Sequence, residues 1–529
     1  MRLRGLDSSM VGKLHLDAVV RRLDGATARI DNPFGIPITL VAREDVVVEA
    51  DGIEELLRFA SLEGTLRDLQ TWEKAGRIAP FWGGTAGEIR SIVLTPDFHK
   101  GAGIPVGTVV DARGFVVPQA VGNDVCCGMR LLATDVDRDE LAPHIGALKQ
   151  RLRAIFFQGQ RDIPMSPRQR AAMLRDGLSG LHETAADNAR TGLWAHYDPR
   201  AQRADLDRVH FHGGLPARGT FAFDAYIQAS GRADGRDIQI GTVGGGNHFV
   251  EIQAVDELVD GATARSFGLS KNAVTIMAHA GSVGLGHAVG GYFNERARAL
   301  YPAGVPHPAH GFYVLPAVGP HAHEASVYLD AMRNAANFAF ANRLFLGLMV
   351  VRAMREVLGR HVTSTLVYDA PHNLIWEPDG AEPRYLHRKG ATPAGGPDGE
   401  GGAFSYTGDP VIIPGSMGDS SWVLAGAGHA ALLASACHGA GRSLTRGRSA
   451  HADEDVYRRA VEKLHVVTPL DPDAPHVRRR RDILAKYHQR MKEEAPYAYK
   501  PITPVVRSVE EAGIARRVAR LWPLVTVKG

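Results

Sequence analysis

The stretch QIGTVGGGNHFVEIQ, residues 239–253, decides how this chain is read. Short apolar strand-like runs flank three consecutive glycines, and the ligand-type pair Asn247-His248 follows directly. Glycines let a backbone turn sharply and approach a ligand closely. A strand, a glycine turn and then an imidazole is the local grammar of a site built at strand ends. Seven further segments set ligand-type or polar side chains in the same kind of short stretch, all but VYDAPHNLIWEP with glycine: TPDFHKGAGIPVG (95–107), GNDVCCGMR (122–130), IMAHAGSVGLGH (276–287), VYDAPHNLIWEP (367–378), HRKGAT (387–392), PGSMGDSSW (414–422) and CHGAGR (437–442). Any one of them reads as a loop with a satisfied histidine. Together they place too many ligand atoms beside glycine for that.

Outward from these segments, the pattern alternates strand and helix. Ile38–Val41 and Val46–Val48 read as strands, and 51–76 as a helix from the spacing of Ile53, Leu56, Leu57, Leu66 and Leu69. The stretch 91–135 reads strand–loop–strand, and 139–157 and 167–190 as amphipathic helices. Residues 236–292 read as strands joined by glycine loops, and 325–358 as the clearest helix, stopped by Gly359. Residues 390–403 read as a flexible loop, 411–437 as strand then helix, 454–463 and 478–491 as helices, and 516–529 as a tail ending in a short apolar strand. No repeat or linker divides the chain. The expectation is a mixed α/β (α+β) protein: one large domain over 91–529, preceded by a region of uncertain role over 1–90.

Composition narrows the function. The chain has 529 residues, 44% of them hydrophobic and 22% charged, which is ordinary for a globular protein. Its net charge of +3 excludes a polybasic coat for nucleic acid. Three cysteines exclude a disulfide scaffold and point to a reducing compartment; the 23 histidines are the unusual feature. The N-terminus MRLRGLD lacks the apolar stretch of a signal peptide, and the longest strongly apolar run, Leu344–Val351, is far short of a bilayer span. A soluble, cytoplasmic protein with no membrane partner is expected.

Three chemistries follow from the glycine segments. Asp124 and Cys127 in D-x-x-C, with His248, His279 and His372, form a candidate metal set. The intervals of 121, 31 and 93 residues from Cys127 onward are those of a site assembled from distant strands, not of a zinc finger. Mixed carboxylate, thiolate and imidazole leaves the metal open among Mn²⁺, Zn²⁺, Fe²⁺ and Co²⁺. Taken singly, Cys127 reads as a small buried hydrophobe and His248 as a core histidine. The glycines at 244–246, 415–418 and 439–441 offer anion-binding backbone nests, with Ser416, Ser420 and Ser421 as hydroxyl donors and Lys389 and Arg442 as cations. No P-loop is present, and no convincing dinucleotide fingerprint. His438, between Cys437 and Gly439-Ala440-Gly441-Arg442, is a candidate nucleophile toward phosphorus. A further metal ligand, a phosphate-binding histidine, or Cys437 as nucleophile remain alternatives on pattern alone.

The motifs D-x-x-C-G, GGGNHF-x-E, HAGSVGLGH, NFAFANR (337–343), APHN, HRKGAT, PGSMG, CHGAGR and the terminal Lys-Gly occur in this order over roughly 90–529. In that combination the chain resembles the RtcB-type RNA-splicing ligases. The resemblance implies a mixed α/β fold with sheets stacked around a central metal and GTP cleft. It implies an enzyme that uses GTP and two Mn²⁺ to join RNA 2′,3′-cyclic phosphate or 3′-phosphate ends to 5′-hydroxyl ends, in tRNA splicing or RNA repair. A covalent histidine–guanylate and an RNA 3′-guanylate are the implied intermediates, and an archease-type activator is a possible partner. Carried over, the guanylated residue is His438, and the manganese ligands are Asp124, Cys127 as bridge, His248, His279 and His372. The implied nucleotide pocket takes Asn247, Phe249, Glu251, Pro414, Gly415, Ser416, Met417, Gly418, Ser421, Gly439, Ala440, Gly441, Tyr499 and Lys528. Glu251 suits the guanine N1 and N2 donors, and Phe249 and Tyr499 offer stacking faces. Lys389, Arg442, Arg478 and Arg479 are the expected RNA contacts, the last two from the run Arg478–Arg481 read as part of a helix.

Three positions depart from the family pattern: Val283 and Pro393 stand where arginine is usual, and Pro501 where an acid is usual. None removes a ligand or the nucleophile, so RNA handling rather than guanylylation is where divergence is expected. The competing reading from another class is a dinuclear metal-dependent phosphoesterase; a non-catalytic relative is disfavoured by intact Cys127 and His438.

Overall fold

The computed structural model describes residues 19–228, 239–380, 382–444, 446–451, 453–462 and 464–529. The extreme N-terminus and the first three residues, 236–238, of the stretch expected as strands joined by glycine loops lie outside these residues. The fold is mixed α/β, as expected.

Its largest unit is an eight-stranded sheet in the order β11 (Ser364–Pro371), β7 (Gly128–Asp137), β9 (Ala273–Ala280), β8 (Phe249–Leu258), β19 (Ala515–Val527), β16 (Ser421–Gly426), β15 (Pro410–Ile413). The eighth, β18 (Val466–Val467), pairs parallel with the end of β19, and the other pairings are antiparallel. Antiparallel pairing brings the starts of some strands beside the ends of others. Gly128 at the start of β7 lies opposite Ala280 and Pro371, at the ends of β9 and β11. Phe249 at the start of β8 lies opposite His279, and Val527 opposite Val250. Cys127, His248, His279, His372 and Lys528 therefore all emerge at one end of this sheet.

A seven-stranded sheet runs β1 (Val20–Arg22), β2 (Thr27–Ile30), β3 (Ile38–Val41), β4 (Glu88–His99), β5 (Val106–Arg113), β13 (Arg384–Lys389), β12 (Asn373–Trp376). The chain passes from one sheet to the other through a single residue, His372, between β11 and β12. Strands from the first ninety residues extend this sheet. Ile38, Leu56, Phe59 and Leu66 share one apolar cluster with Ile92, Phe98 and Phe115. Two small ribbons, β6 (Phe115–Val116) with β10 (Leu315–Pro316) and β14 (Ala391–Pro393) with β17 (Ser435–Cys437), complete the strands.

The helix Ala322–Leu358 packs against β7 and β9 and is buried without interruption from Asn334 to Val351. It ends where expected, at Gly359 with φ 64°. Among the described residues it is the one helix long and apolar enough to cross a bilayer, and its apolar window is wholly buried, as in a core helix. Its polar residues serve the loops. Asn342 Oδ1 accepts from Gly241 N at 2.8 Å and Thr242 N at 3.1 Å, and its amide donates to Gly281 O at 3.1 Å. One side chain thus ties the 241–248 loop to the turn after β9.

Several expectations for local structure are corrected. Val46–Val48 is irregular, and 51–76 is two helices, Ala50–Ala60 and Leu62–Lys74, divided at Ser61. Residues 283–292 belong to the helix Val283–Ala299. The glycines read there as loop formers serve packing: a Cβ on Gly286 would meet Ser282 Oγ at 2.1 Å and Asn123 O at 2.7 Å. Ala391–Pro393 is a buried strand rather than flexible loop. The stretch 411–437 holds strands and one 3₁₀ turn (Ala430–Leu432), because its short apolar runs fit either period. Arg478 ends one helix and Arg481 begins the next, so the four arginines do not share a helix. The tail is a thirteen-residue interior strand, β19.

Candidate active site

At the shared strand ends the predicted metal set converges. Cys127 Sγ lies 3.2 Å from His248 Nε2 and 3.2 Å from His279 Nε2. His279 Nε2 lies 3.3 Å from His372 Nε2, and His248 Nε2 lies 2.8 Å from Asp124 Oδ2. The groups Cys127–His279–His372 and Asp124–Cys127–His248 each bring their ligand atoms within 4.8 Å of one another and share Cys127. Burial, reinforced by neighbouring imidazoles, holds His279 and His372 well below the usual histidine range. Burial thus favours the neutral imidazole in both, and their Nε2 atoms face one another. Asp124 Oδ2 is buried and faces His248, while Oδ1 accepts from Ser282 N at 3.1 Å. Burial and the Asp124 charge push the Cys127 thiol well up, a balance that a coordinated cation reverses. A carboxylate, a thiol and three imidazoles converging around a shared sulfur are a donor set that fits divalent cations.

His438 follows β17 and faces this cluster, its ring centroid 4.5 Å from that of His372. Its Nδ1 lies 2.7 Å from Asp97 Oδ2, and its backbone N–H donates to the same oxygen at 3.3 Å. Burial raises the Asp97 carboxyl, but the His438 imidazole and the Thr95 hydroxyl outweigh it and hold Asp97 below the usual range. An ionised Asp97 fixes the proton on Nδ1 and leaves the Nε2 lone pair free. The strand bearing Asp97 is itself clamped: Lys500 Nζ donates to Pro96 O at 3.1 Å and Phe98 O at 2.7 Å. Gly441, at φ 76°, has no room for a side chain, since a Cβ would meet Asp97 O at 2.3 Å.

Two cavities meet at His438. The first, about 510 Å³, is lined among others by Asn247, Phe249, Glu251, the Pro414–Met417 turn, Gly439–Arg442, Tyr499 and Lys528. Glu251 Oε1 accepts from Thr526 Oγ1 at 2.6 Å, and Oε2 from Gln253 Nε2 at 2.7 Å. Burial pushes the Glu251 carboxyl up to about 7 against these donors. Lys528 Nζ donates to Gly246 O at 2.6 Å and lies 3.7 Å from Glu494. Arg442 bonds Glu494 at 3.3 Å and Tyr499 OH at 3.2 Å, with its guanidinium 5.0 Å from the Tyr499 ring centroid. The second cavity, about 470 Å³, is lined by Gly244–His248, Val283, Gly284, His287, Asn373 and Lys389, with Asp124, Cys127 and His372. Lys389 Nζ donates to Ala102 O and Ile104 O, and burial lowers it to about 8. Val283 here adopts φ 50°, an uncommon conformation for a β-branched residue.

The structure brings most of the predicted residues together. Ser421 is fully buried behind the first cavity, where it accepts from Gln253 and from Gly415 N. Gly418 packs toward Leu464 rather than lining a cavity. Arg442 lines the first cavity, Lys389 the second, and Arg478 and Arg479 neither; Arg478 is exposed and pairs with Asp473 at 3.0 Å. Sequence reasoning missed Asp97, Gln253, Glu494, Lys500 and Thr526. It also missed Arg343, fully buried beneath the site, which donates to Asp369 at 2.8 Å and to Cys126 O at 2.7 Å. Arg343 closes the NFAFANR motif, which was the one signal for it.

Comparison with known proteins identifies the family. The family model described as tRNA-splicing ligase RtcB matches residues 85–529. The chain is 34% identical over 490 residues to the tRNA-splicing ligase RtcB of Thermococcus kodakarensis, covering 87% of this chain and 91% of that one. It is 34% identical over 458 residues to the RNA-splicing ligase RtcB of Mycobacterium tuberculosis, covering 84% and 98%. It is also 34% identical over 461 residues to the tRNA-splicing ligase RtcB of Nanoarchaeum equitans, covering 83% and 88%. With a family match over residues 85–529 and relatives at 34% identity over most of both chains, this chain belongs to the RtcB family of RNA-splicing ligases.

Proposed function

We propose that this protein is an RNA ligase that uses GTP and Mn²⁺ to seal RNA 2′,3′-cyclic phosphate or 3′-phosphate ends to 5′-hydroxyl ends. The observation that carries this reading is the position of His438: it lines both cavities, with Nδ1 held by Asp97. A nucleophile shared by two cavities receives a group from one and passes it to the other. GTP occupies the first cavity, with its base against Glu251, Phe249 and Tyr499 and its phosphates toward the 414–417 and 439–441 backbone. His438 Nε2 attacks the α-phosphorus, the bond to the β-phosphate oxygen breaks, and pyrophosphate leaves. Asp97 stabilises the cationic imidazole that forms. An oxygen of an RNA 3′-phosphate in the second cavity then attacks the same phosphorus and releases Nε2. The 5′-hydroxyl finally attacks the activated 3′-phosphate, losing its proton, and GMP departs. A cyclic phosphate is opened by water first.

Asp124, Cys127, His248, His279 and His372 would hold two Mn²⁺, which when bound would neutralise phosphate charge and polarise the phosphorus under attack. Lys389 supplies positive charge to the RNA side. Arg478 and Arg479 contribute only to diffuse attraction, and an archease-type partner assists repeated turnover in the cytoplasm.

The test is incubation with Mn²⁺ and α-labelled GTP. Acid-labile label on the protein is expected. No label, with or without an archease-type partner, overturns the ligase reading, and label surviving in His438→Ala overturns the nucleophile.

A further inference from the structure

We propose that Gln253 and Thr526 set the base selectivity of the nucleotide cavity by keeping Glu251 a carboxylate, so that the choice between guanine and adenine changes with pH. This rests on reading Glu251 as the contact to guanine.

Glu251 and Thr526 are directly opposed across β8 and β19, and Gln253 is two residues on, facing the same side of β8. Each carboxylate oxygen receives one internal donor, Thr526 Oγ1 on Oε1 and Gln253 Nε2 on Oε2. Gln253 is fixed in turn, because the same Nε2 donates to Ser421 Oγ at 2.9 Å and both residues are fully buried. A carboxylate oxygen accepts two hydrogen bonds, so each keeps one lone pair for the cavity. Two free acceptors match the N1 and N2 donors of guanine.

Protonation inverts one of them. Adenine carries an acceptor at N1 where guanine carries a donor. A neutral Glu251 donates to adenine N1 and loses one of its two acceptances from guanine. The donors from Gln253 and Thr526 favour the charged form, and burial opposes it. The surroundings leave that balance close. β19 contributes Thr526 and, just beyond it, Lys528, whose charge favours the carboxylate. Glu494 lies 3.7 Å from Lys528 and offsets part of that charge, while Arg442 and Tyr499 are bonded to Glu494. β9 contributes Met277 opposite Glu251 and the neutral His279. β16 contributes the uncharged Ser421. With the carboxyl near 7, its protonation falls within the physiological range.

Above its midpoint Glu251 is charged and selects GTP; below it, preference for GTP over ATP falls by up to about tenfold per pH unit, as a single proton dictates. Removing either donor moves the fall to higher pH.

The experiment is a competition between GTP and ATP for label transfer to the intact protein with Mn²⁺, read as a ratio from about pH 6 to about pH 9. The ratio cancels titrations common to both nucleotides. Wild type is expected to lose preference toward the acid end, and Gln253→Leu and Thr526→Val to lose it about one unit higher. Glu251→Gln, whose amide permanently presents one donor and one acceptor, is expected to show a low, pH-independent ratio. A flat wild-type ratio overturns the proposal without reference to any variant's folding. Wild-type profiles in both Gln253→Leu and Thr526→Val overturn it while a low ratio in Glu251→Gln keeps the guanine reading. A full, undiminished preference for GTP in Glu251→Gln overturns the guanine reading itself.

Discussion

The two cavities that meet at His438 are nearly equal in size and opposite in design. The nucleotide side is internally balanced. Arg442, Glu494, Tyr499 and Lys528 are bonded among themselves, and Glu251 is held by two neutral donors. Such a cavity recognises shape and donor pattern rather than net charge. On the other side Lys389 donates to backbone carbonyls, beside a glycine turn and the ligand cluster. Under the proposed function that side would take the RNA phosphate, whatever base it carries. The contrast suits an enzyme that must choose one nucleotide yet accept many RNA ends.

The largest expected effect strikes both sides at once. Asp97→Asn should slow label transfer from GTP by about 10³-fold, since the imidazole loses its tautomer control and the counter-charge for its cationic form. Rapid-quench measurement of label on His438 checks it; a change below tenfold would sink the role given to Asp97. Next comes the support common to both cavities. Arg343→Met leaves Asp369 buried with only Arg130, at 3.1 Å, and should cost about 3–5 kcal/mol of stability, read by denaturant unfolding. The comparison itself is broken or kept by Lys389→Met. Sealing of a 3′-phosphate RNA should fall about a hundredfold while label transfer from GTP stays within a fewfold of wild type; equal losses would show that the two cavities do not divide the work. The smallest effect is expected from Val283→Arg, which adds charge to the RNA side only. It should change the affinity for the RNA terminus severalfold in a binding titration and leave GTP labelling unchanged.

How much of this was legible in the sequence depends on the distance between partners. The candidate ligands Asp124, Cys127, His248 and His279, and His438, lie within two residues of a glycine near strand ends, and that local signature survives in one dimension; His372 lies between two strands without one. Asp97 lies inside a quoted segment, but its meaning comes from His438, 341 residues away, and no spacing rule joins them. Thr526 and Gln253 acquire a role only through the β8–β19 register. Gly284 and Gly286 misled because a helix packed tightly on a loop needs glycine as much as a turn does. The asparagines of NFAFANR read as helix residues with no reason to be polar. Their reason is the set of loop backbones they hold, as Asn337 does for Leu215 and Asn342 for Gly241 and Thr242.

Strand β19 sets a condition on when this enzyme exists during synthesis. Its thirteen residues fill the interior slot between β8 and β16, and both neighbours are made long before it. Until the ribosome has passed Val527, β8 and β16 present open edges toward one another, and such edges recruit foreign strands. Thr526 and Lys528 arrive with the same segment. The sheet closes and the first cavity acquires the wall carrying Thr526 and Lys528 in one late event, after Cys127, His248, His279 and His372 have all been made.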